Sequence, residues 1–110
     1  MQINKKEKFT IIIADENSFS AFYEAFLIEE KKLLKENIIL QVSENINVSK
    51  EDFLLLLNIS VQKKESGTSF VVVNSNVDVD NFPEEFNIVP TLQEAEDVIE
   101  MEAIERELGF

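Results

Sequence analysis

Short β-branched runs alternate along this chain with longer stretches in which apolar residues recur every three or four positions. Residues 9–14 (FTIIIA) form a continuous apolar run, the mark of a strand buried on both faces. The polar segment 15–18 follows and offers Asn17 or Ser18 as a helix cap. The spacing beyond it predicts a helix over 19–36. Its Phe19, Phe22, Tyr23, Phe26, Leu27, Leu33 and Leu34 fall on one face, with the lysines and most glutamates opposite. An aromatic stripe at helical spacing is read as core.

Ile38–Val42 is the next strand, ended by Ser43, Glu44 and Asn45. Ser49 then opens a second helix that runs to about Glu65. Ser49-Lys50-Glu51-Asp52 has the form of a capping box, with Asp52 as a shorter substitute for the usual Glu. Phe53, Leu54, Leu55, Leu56, Leu57, Ile59 and Val61 spread round nearly the whole circumference of the first two turns of this helix. It is therefore either covered on two sides or presents apolar surface to a partner. Ser66-Gly67 supplies a C-terminal stop, with Gly67 free to adopt positive φ. Phe70–Val73 reads as a short central strand.

A polar connection with turn residues and Pro83 occupies 74–86, and 87–89 forms a brief edge strand. Pro90 and Thr91 introduce the last helix, about 92–108, with Thr91 as cap and Glu94 in the capping-box position. Leu92, Ala95, Ile99 and Ala103 share one side of this helix, which suffices for lying on a sheet. Met101, Ile104 and Leu108 lie nearly opposite, where another helix, a bend or a second molecule must meet them. No internal repeat or low-complexity tract is present.

Composition narrows the chemistry. At 110 residues the chain is read as one domain, 1–110, able to bury a single core. It contains no cysteine and no histidine. Disulfides, thiolate zinc sites, Ser-His-Asp triads and histidine-bound metals are thereby excluded, and neither a metal nor a cofactor is expected. Paired carboxylates such as Asp78 with Asp80, or Glu84 with Glu85, arise by chance in so acidic a chain, and the reading is of a protein that is not an enzyme. No secretory leader or membrane-spanning stretch is visible, which makes the cytoplasm the expected location.

The net charge is -12, with seven basic and ten acidic residues in 1–55 against three and twelve in 56–110. Such a surface repels phosphate backbones, so no nucleic-acid binding is expected. The acidity serves either solubility or a basic partner.

The order strand, helix, strand, capped helix, glycine, strand and a terminal helix after Pro-Thr resembles the STAS domain of sulfate transporters and anti-sigma-factor antagonists. The tail VPTLQEAEDVIEMEAIERELGF, with VVVN upstream, is most similar to the small stand-alone STAS-like proteins of Bacteroidetes. The resemblance implies an α/β, STAS-like fold with an about four-stranded, mostly parallel sheet and three main helices. In antagonists of the family, a serine at the start of the second helix is phosphorylated by a partner kinase that is also the anti-sigma factor, and a phosphate there releases the partner. Ser49 is the matching phospho-acceptor candidate. Lys50, Glu51 and Asp52 stand where the family uses small residues, so the motif is a degenerate form, and a plain N-cap by itself fully explains a serine at 49.

The functional expectation is a non-catalytic regulatory module that binds a protein, with a kinase or anti-sigma factor as the implied partner. Asn47, Ser49, Lys50, Phe53, Leu54 and Leu57 are the expected partner-binding surface. The alternatives are a self-associating structural protein, with Met101, Ile104 and Leu108 closing a homodimer, and a small-ligand or lipid-binding domain.

Overall fold

The computed structural model describes residues 1–75, 82–83 and 86–109. Its elements run β1 (Gln2–Lys5), β2 (Thr10–Ala14), α1 (Phe19–Glu30), β3 (Ile38–Val42), α2 (Lys50–Glu65), β4 (Phe70–Val73), β5 (Ile88–Val89) and α3 (Leu92–Glu107). The strands form one five-stranded sheet in the order β1-β2-β3-β4-β5. β2 to β5 are parallel, while β1 pairs antiparallel with β2. The architecture is α/β, with a mixed sheet in place of the four-stranded one expected. β1 is the strand that the hydrophobic pattern missed. All four of its residues are exposed, so it carries no apolar signature and is held by backbone pairing to β2.

Side-chain alternation in the central strands builds two cores. Ile12, Leu40, Val72 and Ile88 are aligned across the sheet and face α1 and α2. Ile11, Ile39 and Val71 form the next row and face Ala95 and Ile99 of α3. Successive parallel crossovers that step one way across the sheet place their helices on the same side, which puts α1 and α2 together. The larger core holds Phe19, Phe22, Phe26 and Phe70, with Phe22 and Phe26 stacked at 5.3 Å between centroids.

α1 is capped by Ser18, whose hydroxyl accepts from the Ala21 N–H. It ends at Glu30, six residues short of the expected end. Lys32 and Leu33 donate their N–H groups to the Glu29 and Glu30 carbonyls, tightening the chain into a turn. The turn still buries Leu33, but Leu34 and Leu27 stay exposed, so the core stripe is narrower than the seven residues expected. Lys63 of α2 completes the turn: its Nζ donates to the Leu33 carbonyl at 3.2 Å.

α2 closes in a Schellman motif. The Thr68 N–H reaches the Lys63 carbonyl, the Gly67 N–H reaches the Lys64 carbonyl, and Gly67 takes φ +84°.

Lys63 is buried, and desolvation lowers its pKa from the ordinary 10.5, opposed by the nearby Glu30 and Glu36 carboxylates. A base whose pKa is depressed by folding binds its proton more readily in the unfolded chain. Stability therefore rises with pH between the folded value and 10.5, and below that window the full cost of burying the charge is present. Lys63→Met removes this titration together with one buried hydrogen bond. In urea denaturation across alkaline pH, the advantage of the wild-type chain over Lys63→Met is expected to grow as pH approaches 10.5. A constant difference between the two would refute the assignment.

Candidate functional site

The parallel strands end along one edge of the sheet, where such folds gather their loops. The loop after β3 leads to the start of α2, Asn74 and Ser75 follow β4, and residues 90–92 enter α3. Two shallow hollows meet here, with Glu44 and Asn74 common to both. One, of about 390 Å³, lies between Ser43, Ser75 and residues 90–92. The other, of about 260 Å³, is bounded by residues 45–48 and Phe53. Ser75 donates its hydroxyl proton to Glu44, and Ser43 accepts from the Asn45 N–H at 3.2 Å. These are exposed surface hydrogen bonds, suited to holding loops.

Ser49 caps α2 reciprocally. Its Oγ accepts from the Asp52 N–H at 3.1 Å, and Asp52 Oδ2 accepts from the Ser49 N–H at 3.0 Å. Glu51 and Asp52 both sit in the first turn, the end where the helix dipole favours negative charge. Asn47, Ser49 and Lys50 are exposed, and Leu54 is 44% exposed.

Two residues expected on this surface are drawn toward the core. Phe53 is buried in the main core and meets Phe82 edge-on at 5.2 Å, because its position on α2 points inward with Leu56 and Ile59. Leu57 is half-buried against the same core. The apolar circumference of α2 thus divides: Phe53, Leu56 and Ile59 face the sheet, while Leu54, Leu55 and Val61 face solvent.

Met101, Ile104 and Leu108 are also exposed, at 54%, 50% and 67%. α3 is the only helix on its side of the sheet among the described residues, so no neighbouring helix covers their face.

A polar cluster at the opposite end of the sheet escaped the sequence reading. Glu102 is buried, accepting from Ser69 Oγ at 2.6 Å and from Asn87 Nδ2 at 2.8 Å, and Arg106 donates to Ser69 Oγ at 3.3 Å. Asn37 Oδ1 accepts from the Ser69 N–H, while its Nδ2 donates to the Lys8 carbonyl. The available signal was Glu102 itself, a charged residue seven positions after Ala95 on the sheet-facing side of α3. Every member is bonded to another, and no buried side-chain polar atom among the described residues lacks a partner. The cluster ties α3 to the sheet.

Among the described residues no group of His, Cys, Asp or Glu is placed to hold a metal ion, and no helix is long and apolar enough to cross a membrane. The pairs Asp78 with Asp80 and Glu84 with Glu85, and most of the 74–86 connection, lie outside the described residues. Comparison with models of known protein families, and with curated proteins, gives no match.

The two polar features differ in burial and hence in energetic weight. Ser49→Ala removes an exposed cap and is expected to cost about 1 kcal/mol. Glu102→Ala leaves the Ser69 hydroxyl and the Asn87 amide facing no acceptor, and is expected to cost about 2 to 3 kcal/mol. Urea unfolding of the two variants measures both, and the reverse order would contradict this ranking.

Proposed function

We propose that the chain is a non-catalytic regulatory module of the STAS-like kind, which binds a protein partner through the exposed start of α2. The observation that carries this reading is the placing of an exposed apolar residue, Leu54, one turn beyond an exposed serine cap at the loop-bearing edge of the sheet. Asn47 and Lys50 give that surface a polar rim, the usual form of a contact patch with an apolar centre. Neither histidine nor cysteine is present, so the common nucleophile–base pairs are unavailable.

Ser49 is the residue at which a kinase would act on this surface. A phosphate there carries nearly two negative charges at a helix N-terminus, a favourable position for an anion. It would also stand against the Asp52 carboxylate that now accepts from the Ser49 N–H. Both groups compete for the same end of the helix, so modification breaks the reciprocal cap and changes the charge and shape of the docking surface together. Partner release on phosphorylation follows from that change.

Affinity capture with the wild-type chain and with Leu54→Asp as baits tests the surface. A protein partner is expected to be retained by the wild type and weakened at least tenfold by Leu54→Asp, whose melting temperature stays within a few degrees because Leu54 lies outside the core. Failure to find any protein whose retention depends on Leu54 sinks the proposal. Phosphate mapping of the captured chain bears on the switch, which is wrong if modification occurs elsewhere and leaves Ser49 untouched.

A further inference from the structure

The two faces of the sheet are covered unequally. Among the described residues, α1 and α2 lie over one, while α3 alone lies over the other, packed on β3, β4 and β5. The β2 side of that second face is covered incompletely: Phe9 and Ile13 remain half-buried where the corresponding row under α1 and α2 is closed. A groove of about 610 Å³ runs between α3 and the segment leading into β2. Its apolar lining is Phe9, Ile99, Ala103 and Ile104, and α3 adds Glu96, Glu100 and Glu107 along the same wall. None of these three glutamates is ion-paired within the described residues. Lys8, on the sheet side, is the one basic residue in the lining among the described residues.

We infer that this groove receives a basic amphipathic helix of a partner protein. Three observations select that occupant. From Glu96 to Glu107 the groove follows α3 for about 16 Å, or three helical turns, at 1.5 Å per residue. A helix laid beside α3 would give this face the two-helix cover its opposite already has, closing the layer as α/β folds do. The charge then sets the sign. Residues 92–109 contain seven carboxylates and a single arginine, so a partner with apolar residues toward Phe9 and Ala103 and lysines or arginines toward α3 is complementary. A second copy of this chain is the poorer occupant, because it would bring two such acidic walls together in molecules each carrying a net charge of -12. The apolar surface continues over Ile104 onto Met101 and Leu108, which lengthens the contact available to a partner reaching round α3.

A synthetic 15-residue amphipathic peptide, with leucines on one helical face and lysines on the other, is the probe. Binding is followed by fluorescence anisotropy and by amide chemical shifts of the full chain. A scrambled peptide of equal composition is the comparison. The amphipathic peptide is expected to bind at least tenfold more tightly than the scramble, and to shift the amides of Phe9 and of residues 96–107.

Ala103→Arg, which fills the groove, and the double variant Glu96→Lys/Glu100→Lys are each expected to weaken binding at least tenfold. Glu24→Lys/Glu65→Lys makes the same change of net charge on the other side of the sheet and is expected to stay within about threefold. Circular dichroism establishes that each variant is folded. Leu54→Asp is expected to leave peptide binding unchanged, which separates this groove from the surface at the start of α2.

Equal binding of the scramble, or equal loss in the remote double variant, would show general attraction of a cation to an acidic protein and overturn the inference. A dimer in light scattering that Ala103→Arg dissolves would overturn it in favour of a second copy.

Discussion

Everything in this molecule follows from three parallel strands that are apolar on both faces. Thr10–Ala14, Ile38–Val42 and Phe70–Val73 lie in register, so each row of side chains across the sheet points wholly to one side or wholly to the other. Both sides must then be removed from water, each buried aliphatic or aromatic side chain contributing about 1.5 to 3 kcal/mol. A one-residue slip in any strand would exchange the rows and set Leu40 or Val72 against the wrong helices. The positions of α1, α2 and α3 are answers to that demand, and so is the direction in which the start of α2 and the groove beside α3 face.

The answers are unequal. Two helices supply the aromatic side of the core, while α3 meets the sheet mainly through Ala95 and Ile99. A helix seated this way needs further anchorage. Glu102, Ser69, Asn87 and Arg106 supply it through hydrogen bonds in partly dry surroundings, where each bond is stronger and each unmade one costlier than in water. The apolar stripe therefore sets where α3 lies, while the polar cluster fixes which way it is rolled.

Much of this order is legible in the sequence, and the reasons it is legible also explain what is not. β2, β3 and β4 announce themselves because strands buried on both sides must be continuously apolar. α2 is legible at both ends, through Ser49 with Asp52 and through Gly67, since caps depend on a few neighbouring residues. β1 is silent because an exposed edge strand is defined by backbone pairing alone. The end of α1 is hidden because its decisive contact comes from Lys63, thirty residues along the chain. Phe53 shows the same limit at the candidate site. A helix apolar all round gives no phase, and only the packed structure separates the buried Phe53 from the exposed Leu54.

Lys63 joins two helix ends that local sequence treats as separate. Its ammonium holds the carbonyl of Leu33 where the chain leaves α1, and its own carbonyl accepts the Thr68 N–H that closes α2. Fraying normally begins at such ends, each opening alone at little free-energy cost. Here the last turn of α2 cannot unwind without releasing the turn after α1, and that turn leads directly into β3. The two ends are thereby coupled into one opening unit, and the most common site of local unfolding in a helix is tied to the centre of the sheet.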